Sequence, residues 1–140
     1  MKLRHLIPVL DVRDVEASIE FYCGALGFRL HDKLEWGGKT EWALLRNDNV
    51  QLMLCAGGDH EAEEVTHPGE GVFFLYLDNV ESLLVYLGSR GYADQLNGLQ
   101  PVQPGRDFFV RDPDGYVLWF SHRPVDAEAT FEAAMVAAGG

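Results

Sequence analysis

The chain states one pattern twice. Asp14-Val15-Glu16 opens a segment that passes through Phe21-Tyr22 and closes at Gly27-Phe28, and Asn79-Val80-Glu81 opens another that passes through Tyr86-Leu87 and closes at Gly91-Tyr92. The offset is 65 residues at the start and 64 at the end. Each copy follows an apolar run and carries one amphipathic stretch. Val15, Ile19, Tyr22 and Leu26 form one helical stripe, and Val80, Leu83, Leu84 and Leu87 form the other. Asp14 and Asn79 are good N-caps, because their side-chain oxygens accept from the unpaired N–H groups of a first turn. Gly27 is expected to end the first helix in the left-handed conformation, and Gly91 to end the second. Neither half is long enough to bury a stable core by itself. Two halves packed together, or two chains exchanging halves, would supply one, with the sheets curving around a shared cavity.

Strand signals complete each unit. His5 to Asp11 reads as a first strand, placed by Pro8 at a sheet edge or at a joint between chains, because proline cannot donate to a ladder. Phe28 to Trp36 reads as a strand and Gly37-Gly38 as a turn. Thr40–Arg46 and Val50–Cys55 read as a hairpin around Asn47-Asp48-Asn49. Residues 56 to 71 hold four Gly, one Pro, two His and five acidic residues, which marks a linker. Val72–Leu77 is the strand that opens the second unit, and Tyr92 to Leu99 reads as a short strand and loop. Arg106–Arg111 and Tyr116–His122 form a hairpin around Asp112-Pro113-Asp114-Gly115. The tail from Asp126 reads as a short helix. The fold class is therefore α+β, with two βαβββ modules at about 3–56 and 72–123, a linker at 57–71 and a tail at 124–140, all in one domain.

Composition narrows the function. Of 140 residues, 47% are hydrophobic, enough for a core. No run approaches the ~18 apolar residues of a membrane span. The basic start Met1–His5 is followed by an apolar run broken at Pro8 and Asp11, so no signal peptide is read and a cytoplasmic location is expected. Cys23 and Cys55 lack metal spacing and are read as reduced thiols. The net charge of −11 disfavours nucleic acid and anionic membranes as partners and favours cationic ligands. Its plainer role is solubility.

Three segments carry a family resemblance. They are Ile7-Pro8-Val9-Leu10-Asp11-Val12-Arg13-Asp14-Val15 with Glu20-Phe21-Tyr22 and Leu26-Gly27-Phe28, then Leu44 to Leu52, then Gly105 to Gly115. Over about residues 3 to 123 the chain resembles the vicinal oxygen chelate superfamily of glyoxalases, bleomycin resistance proteins and dioxygenases. It is most similar to the bleomycin resistance proteins. The resemblance implies a homodimer, with Pro8 where the N-terminal strand crosses to the partner chain. It also implies four metal-ligand positions in the enzymes of the group, which fall here on Ile7, Gln51, Val72 and Trp119. Three of these cannot ligate, and one amide cannot hold an ion against water. His5, two residues before Ile7, is the one candidate for a displaced ligand; otherwise it is a strand-end histidine. His60 and His67 have neither helical nor strand spacing and read as solvated loop.

Aromatic rings stand where the metal would be. A four-residue turn at Asp112–Gly115 would pair Phe108 with Trp119 on one face, offering stacking surface. Trp36 and Trp42 flank the Gly37-Gly38 turn and are candidates for the pocket mouth. The competing reading is that these rings pack the core. Pro104 stands where drug-binding members carry a Trp, a departure from that branch. Ser121 and His122 are strand neighbours that point to opposite faces, so they form no nucleophile pair. The expectation is a binding protein with no metal and no cofactor. It would sequester a cationic or aromatic small molecule, of bleomycin type or otherwise, in a dimer groove made by Trp119, Phe108, Gln51, Ile7, Val72, Trp42, Trp36 and His5. The alternatives are a divergent glyoxalase-like lyase or isomerase with its metal at His5, and a sensing module with a silent cavity.

Overall fold

The computed structural model describes residues 1–57, 70–90, 100–103 and 107–122. The first unit runs β1 (Val9–Val12), α1 (Val15–Leu26), β2 (Arg29–Trp36), β3 (Lys39–Asn47) and β4 (Val50–Ala56); the second runs β5 (Val72–Leu77), α2 (Val80–Ser89), β6 (Gln100–Gln103), β7 (Asp107–Arg111) and β8 (Val117–His122). The sheets have the orders β1-β4-β3-β2 and β5-β8-β7-β6. In each, the strand before the helix pairs in parallel with the last strand, and the other pairs are antiparallel. The repeat in sequence is thus a repeat in topology.

Local chemistry sets most boundaries. Asp14 is extended and accepts from the Ala17 N–H, while Gly27 at φ 73° caps the helix end on the Tyr22 carbonyl. Asn79 accepts from the Glu81 and Ser82 N–H groups at 2.9 and 3.3 Å. Gly37 and Gly38 lie at φ 62° and 81°, the two-residue turn that joins twisted strands without splaying them.

Several strand ends differ from the reading by a residue, and four boundaries differ in a way that has a physical reason or changes the topology. β1 starts at Val9 rather than His5. Pro8 has no N–H for a ladder, and its carbonyl instead accepts from Met53 N at 2.9 Å. β1 is nonetheless an edge strand. Asn47 pairs with Val50, which leaves a two-residue turn with Asp48 at φ 52°. α2 ends at Ser89 with Arg90 as its cap, one residue before Gly91. The fourth strand of the second sheet is β6, which starts at Gln100. The linker and its histidines, Gly91, the segment from Tyr92 to Leu99, Pro104 and the tail helix lie outside the described residues.

The helix-facing sides of both sheets meet in one core. It joins Leu10, Val12, Ala43, Leu45, Leu52 and Leu54 of the first unit, the α1 stripe, and Leu87, Val110, Leu118 and Phe120 of the second. A polar seam crosses it. Tyr22 Oη donates to Asp112 Oδ2 at 2.7 Å, and Asp112 Oδ1 accepts from the Asp114 and Tyr116 N–H groups, both at 2.9 Å. The Arg13 N–H donates to Asp114 at 3.0 Å, and Tyr116 Oη donates to the Asp11 carbonyl at 3.0 Å. The Asp-Pro-Asp-Gly turn is therefore the joint between the modules as well as a hairpin tip. Among the described residues of one chain, what the two units enclose is this core. Cys23 and Cys55 are free thiols. No helix among the described residues is long and apolar enough to cross a membrane.

Candidate functional site

Each sheet keeps one face away from the helices, and those two faces carry most, but not all, of the residues singled out in the sequence. Directly paired residues share a face. On the first sheet Trp42 pairs with Cys55 and Leu34, Leu44 with Met53 and Asp32, and Arg46 with Gln51. Since Ala43 and Leu45 are in the core, Trp42, Leu44 and Gln51 lie on the helix-free face, where all three are half-buried. This settles the side of Trp42, which the hairpin pattern left open. Lys33 and Glu35 pair with each other at 3.0 Å, and Lys33 reaches Glu16 of α1 at 3.5 Å. Trp36, next along β2, therefore turns to the helix-free side, 78% exposed. Ile7 is half-buried and His5 exposed.

The helix-free face of the second sheet is aromatic. β5 presents Val72, Phe74 and Tyr76, which are 62%, 50% and 60% exposed. Phe74 pairs with Trp119 of β8, with ring centroids 5.5 Å apart, and meets Tyr76 edge-on at 5.1 Å. Trp119 pairs in turn with Phe109 of β7, whose ring lies 6.0 Å from the Arg111 guanidinium. The result is a ladder of four rings, Tyr76, Phe74, Trp119 and Phe109, ending in a cation.

The expected pairing of Phe108 with Trp119 is corrected. Phe108 pairs with Phe120, which is buried in the core, so it belongs to the helix-facing side. The physical reason is the turn. Asp112 to Tyr116 forms a five-residue loop, closed by Asp112 N–H on the Tyr116 carbonyl and by the two backbone bonds to Asp112 Oδ1. Arg111 then pairs with Val117, and a shift of one residue moves every side chain to the other face.

The four positions of the metal pattern divide between the sheets: Ile7 and Gln51 on the first unit, Val72 and Trp119 on the second. The helix-facing sides share one core and the opposite faces are exposed, so a single chain does not bring the four together. Their chemistry does not fit an ion either, since three end in carbon or indole groups without a donor lone pair for a divalent metal. No group of three or more His, Cys, Asp or Glu side chains converges among the described residues. Cys55 is no ready nucleophile. Burial first, then the Asp11 and Glu41 charges, push its thiol up and keep it protonated.

Comparison with known proteins agrees with this architecture. The sequence model of the glyoxalase/bleomycin resistance protein/dioxygenase superfamily matches residues 2–120. No curated protein matches the chain. Among solved structures, TnmS3, an antibiotic binding protein from Streptomyces sp. CB03234, is similar at TM-score 0.63 and 22% identity, covering 87% of this chain and 98% of that one. The bleomycin-binding protein of Streptomyces verticillus, complexed with copper(II)-bleomycin, is similar at TM-score 0.59 and 22% identity, again over 87% and 98%. A lactoylglutathione lyase from Agrobacterium tumefaciens is similar at TM-score 0.57 and 17% identity, over 87% and 96%. At these identities the likeness shows the shared fold.

Proposed function

The chain belongs to the glyoxalase/bleomycin resistance protein/dioxygenase superfamily, and from that membership we propose that it is a binding protein for an aromatic or cationic small molecule, acting by sequestration without a metal. The observation that carries this reading is the ring ladder at Trp119, where enzymes of the group are expected to hold a metal ligand. Rings at stacking distance, Phe74 and Tyr76 exposed and Trp119 and Phe109 half-buried, suit a planar or cationic guest, each contact contributing on the order of 1 kcal/mol. Two of the similar structures are described as antibiotic-binding and bleomycin-binding proteins, which supports the same class of ligand. The working unit in this reading is a homodimer. A two-fold partner would set the first sheet of one chain over the second sheet of the other, closing Trp42, Gln51 and Ile7 against Trp119, Phe74 and Val72.

Calorimetric titration tests the proposal with a metal-free bleomycin-type glycopeptide and a panel of cationic aromatics. Micromolar binding that weakens about tenfold in Trp119→Ala is expected, the loss of one or two stacking contacts. Absence of heat from every ligand at micromolar concentration would sink it. Metal analysis of protein purified without chelator separates the enzymatic alternative. Stoichiometric zinc, nickel or manganese that disappears in His5→Ala would replace sequestration with lyase or isomerase chemistry.

A further inference from the structure

A groove of about 570 Å³ opens at one end of the first sheet, lined by Arg29, His31, Arg46 and Asp48 with Gly27, Leu30 and Asn47 beside them. The aromatic ladder belongs to the other sheet. Arg29 and Arg46 are direct cross-strand partners. Like charges opposite one another weaken a sheet, so this pairing is not explained by folding. Among the described residues the ion pairs are Arg13–Asp114, Lys33–Glu16 and Lys33–Glu35, and neither Arg29 nor Arg46 has a carboxylate partner. In a chain with 22 acidic and 11 basic residues, two facing arginines without acidic partners are out of character.

The surroundings hold this arrangement in place. Arg46 Nε donates to the Asp48 carbonyl at 3.0 Å, which orients its guanidinium and leaves the two terminal nitrogens for another acceptor. Asn47 Nδ2 donates to the Leu26 carbonyl at 3.0 Å and ties the hairpin tip to the end of α1. The Tyr22 carbonyl at that helix end already accepts from Gly27 and Phe28, which mutes the negative end of the helix beside the groove. His31 sits at the register shift between Leu30 and Asp32, where the strand's alternation breaks and a third nitrogen-bearing side chain joins the lining.

We propose that this groove binds an oxyanion, the phosphate or carboxylate group of a small molecule, between the guanidinium groups of Arg29 and Arg46. Planar guanidinium forks match two oxygens of such a group, and charge-assisted hydrogen bonds are among the stronger ones in proteins. Within one chain the site lies on the other sheet from the aromatic ladder. Arg46 stands opposite Gln51, so in the proposed dimer the anion site would border the dimer groove; the phosphate and acetate titration tests it without the ladder's ligand. Asp48 also lines the groove, and its negative charge weakens the site.

The test is an NMR titration of the full-length ¹⁵N-labelled protein with inorganic phosphate, and in parallel with acetate, at constant ionic strength. Saturable shifts confined to the Arg29, His31, Arg46 and Asn47 signals are expected, and the anion with the larger response identifies the group. Arg29→Gln and Arg46→Gln should each weaken binding about tenfold, the double variant should abolish it, and Asp48→Asn should tighten it. Shifts that stay linear, or saturate equally in the double variant, would overturn the site. Thermal unfolding guards against a trivial loss. Both arginines are exposed, so the double variant is expected to melt at or above the parent, and a marked drop in Tm would assign the pair to structure instead.

Discussion

Asp112 shows how much one carboxylate can hold. It is 5% exposed and satisfies two backbone N–H groups and the Tyr22 hydroxyl. Burial pushes its pKa up, and the hydrogen bonds that favour the anion offset this only in part. Burial and the Asp112 charge push the Tyr22 hydroxyl up as well, so it remains a donor. A carboxyl whose pKa is higher folded than unfolded holds its proton more tightly in the folded state. Its contribution is therefore fully present below the unfolded value of about 4 and is lost as pH rises through the raised folded value. Urea titrations from acid to neutral pH should show this decline in the parent and not in Asp112→Asn. Asp112→Ala strands three donors and should cost several kcal/mol, at about 1–3 kcal/mol for each donor left unpaired. The same residue explains what the sequence could and could not disclose. Asp-Pro-Asp-Gly is legible as a turn. Its length depends on which backbone groups Asp112 captures, so Phe109, and not Phe108, stands beside Trp119.

At the scale of elements, caps and stripes were legible because they depend on neighbours a few residues away. Asp14, the four-residue stripe of α1 and Asn79 all lie where local rules put them. Asp14→Ala should cost about 1 kcal/mol, read as a lower Tm. β5 was harder to read. Val-Phe-Phe-Leu-Tyr-Leu is apolar at every position, so alternation selects no inward face. An uninterrupted apolar strand is characteristic of burial on both sides. Here the odd-numbered residues Phe73, Leu75 and Leu77 pack against the core, while Val72, Phe74 and Tyr76 remain exposed. In the proposed homodimer the partner's first sheet would supply the second cover that such a run calls for. Phe74→Ser combined with Tyr76→Ser should leave monomer stability nearly unchanged and abolish self-association in sedimentation. Leu118→Ala, at a residue 1% exposed, should cost about 2–5 kcal/mol in urea unfolding.

For the whole molecule, the repeat correctly predicted two units, but what they enclose depends on which faces meet. Periodicity shows that each unit has one apolar helix stripe; it does not show that both stripes point at the same core. Each chain carries a net charge of −11, so two copies repel at long range. The proposed dimer should accordingly tighten as sodium chloride rises from about 20 to 200 mM, as measured by sedimentation equilibrium, because screening shortens that repulsion to roughly 10 Å or less. The seam has a consequence in time as well as in space. Its hydrogen bonds join residues 90, 101 and 105 positions apart, the kind of contact that forms late because a long loop must close first. Tyr22→Phe should therefore speed unfolding and leave the refolding rate nearly unchanged. On a ribosome adding about 5–20 residues per second, Tyr22 waits roughly 5–20 s for Asp112 to be made. For that interval the first module stands with its half of the core uncovered, and nascent chains of this protein are most exposed to chaperones, and to one another, before the second copy of the repeat arrives.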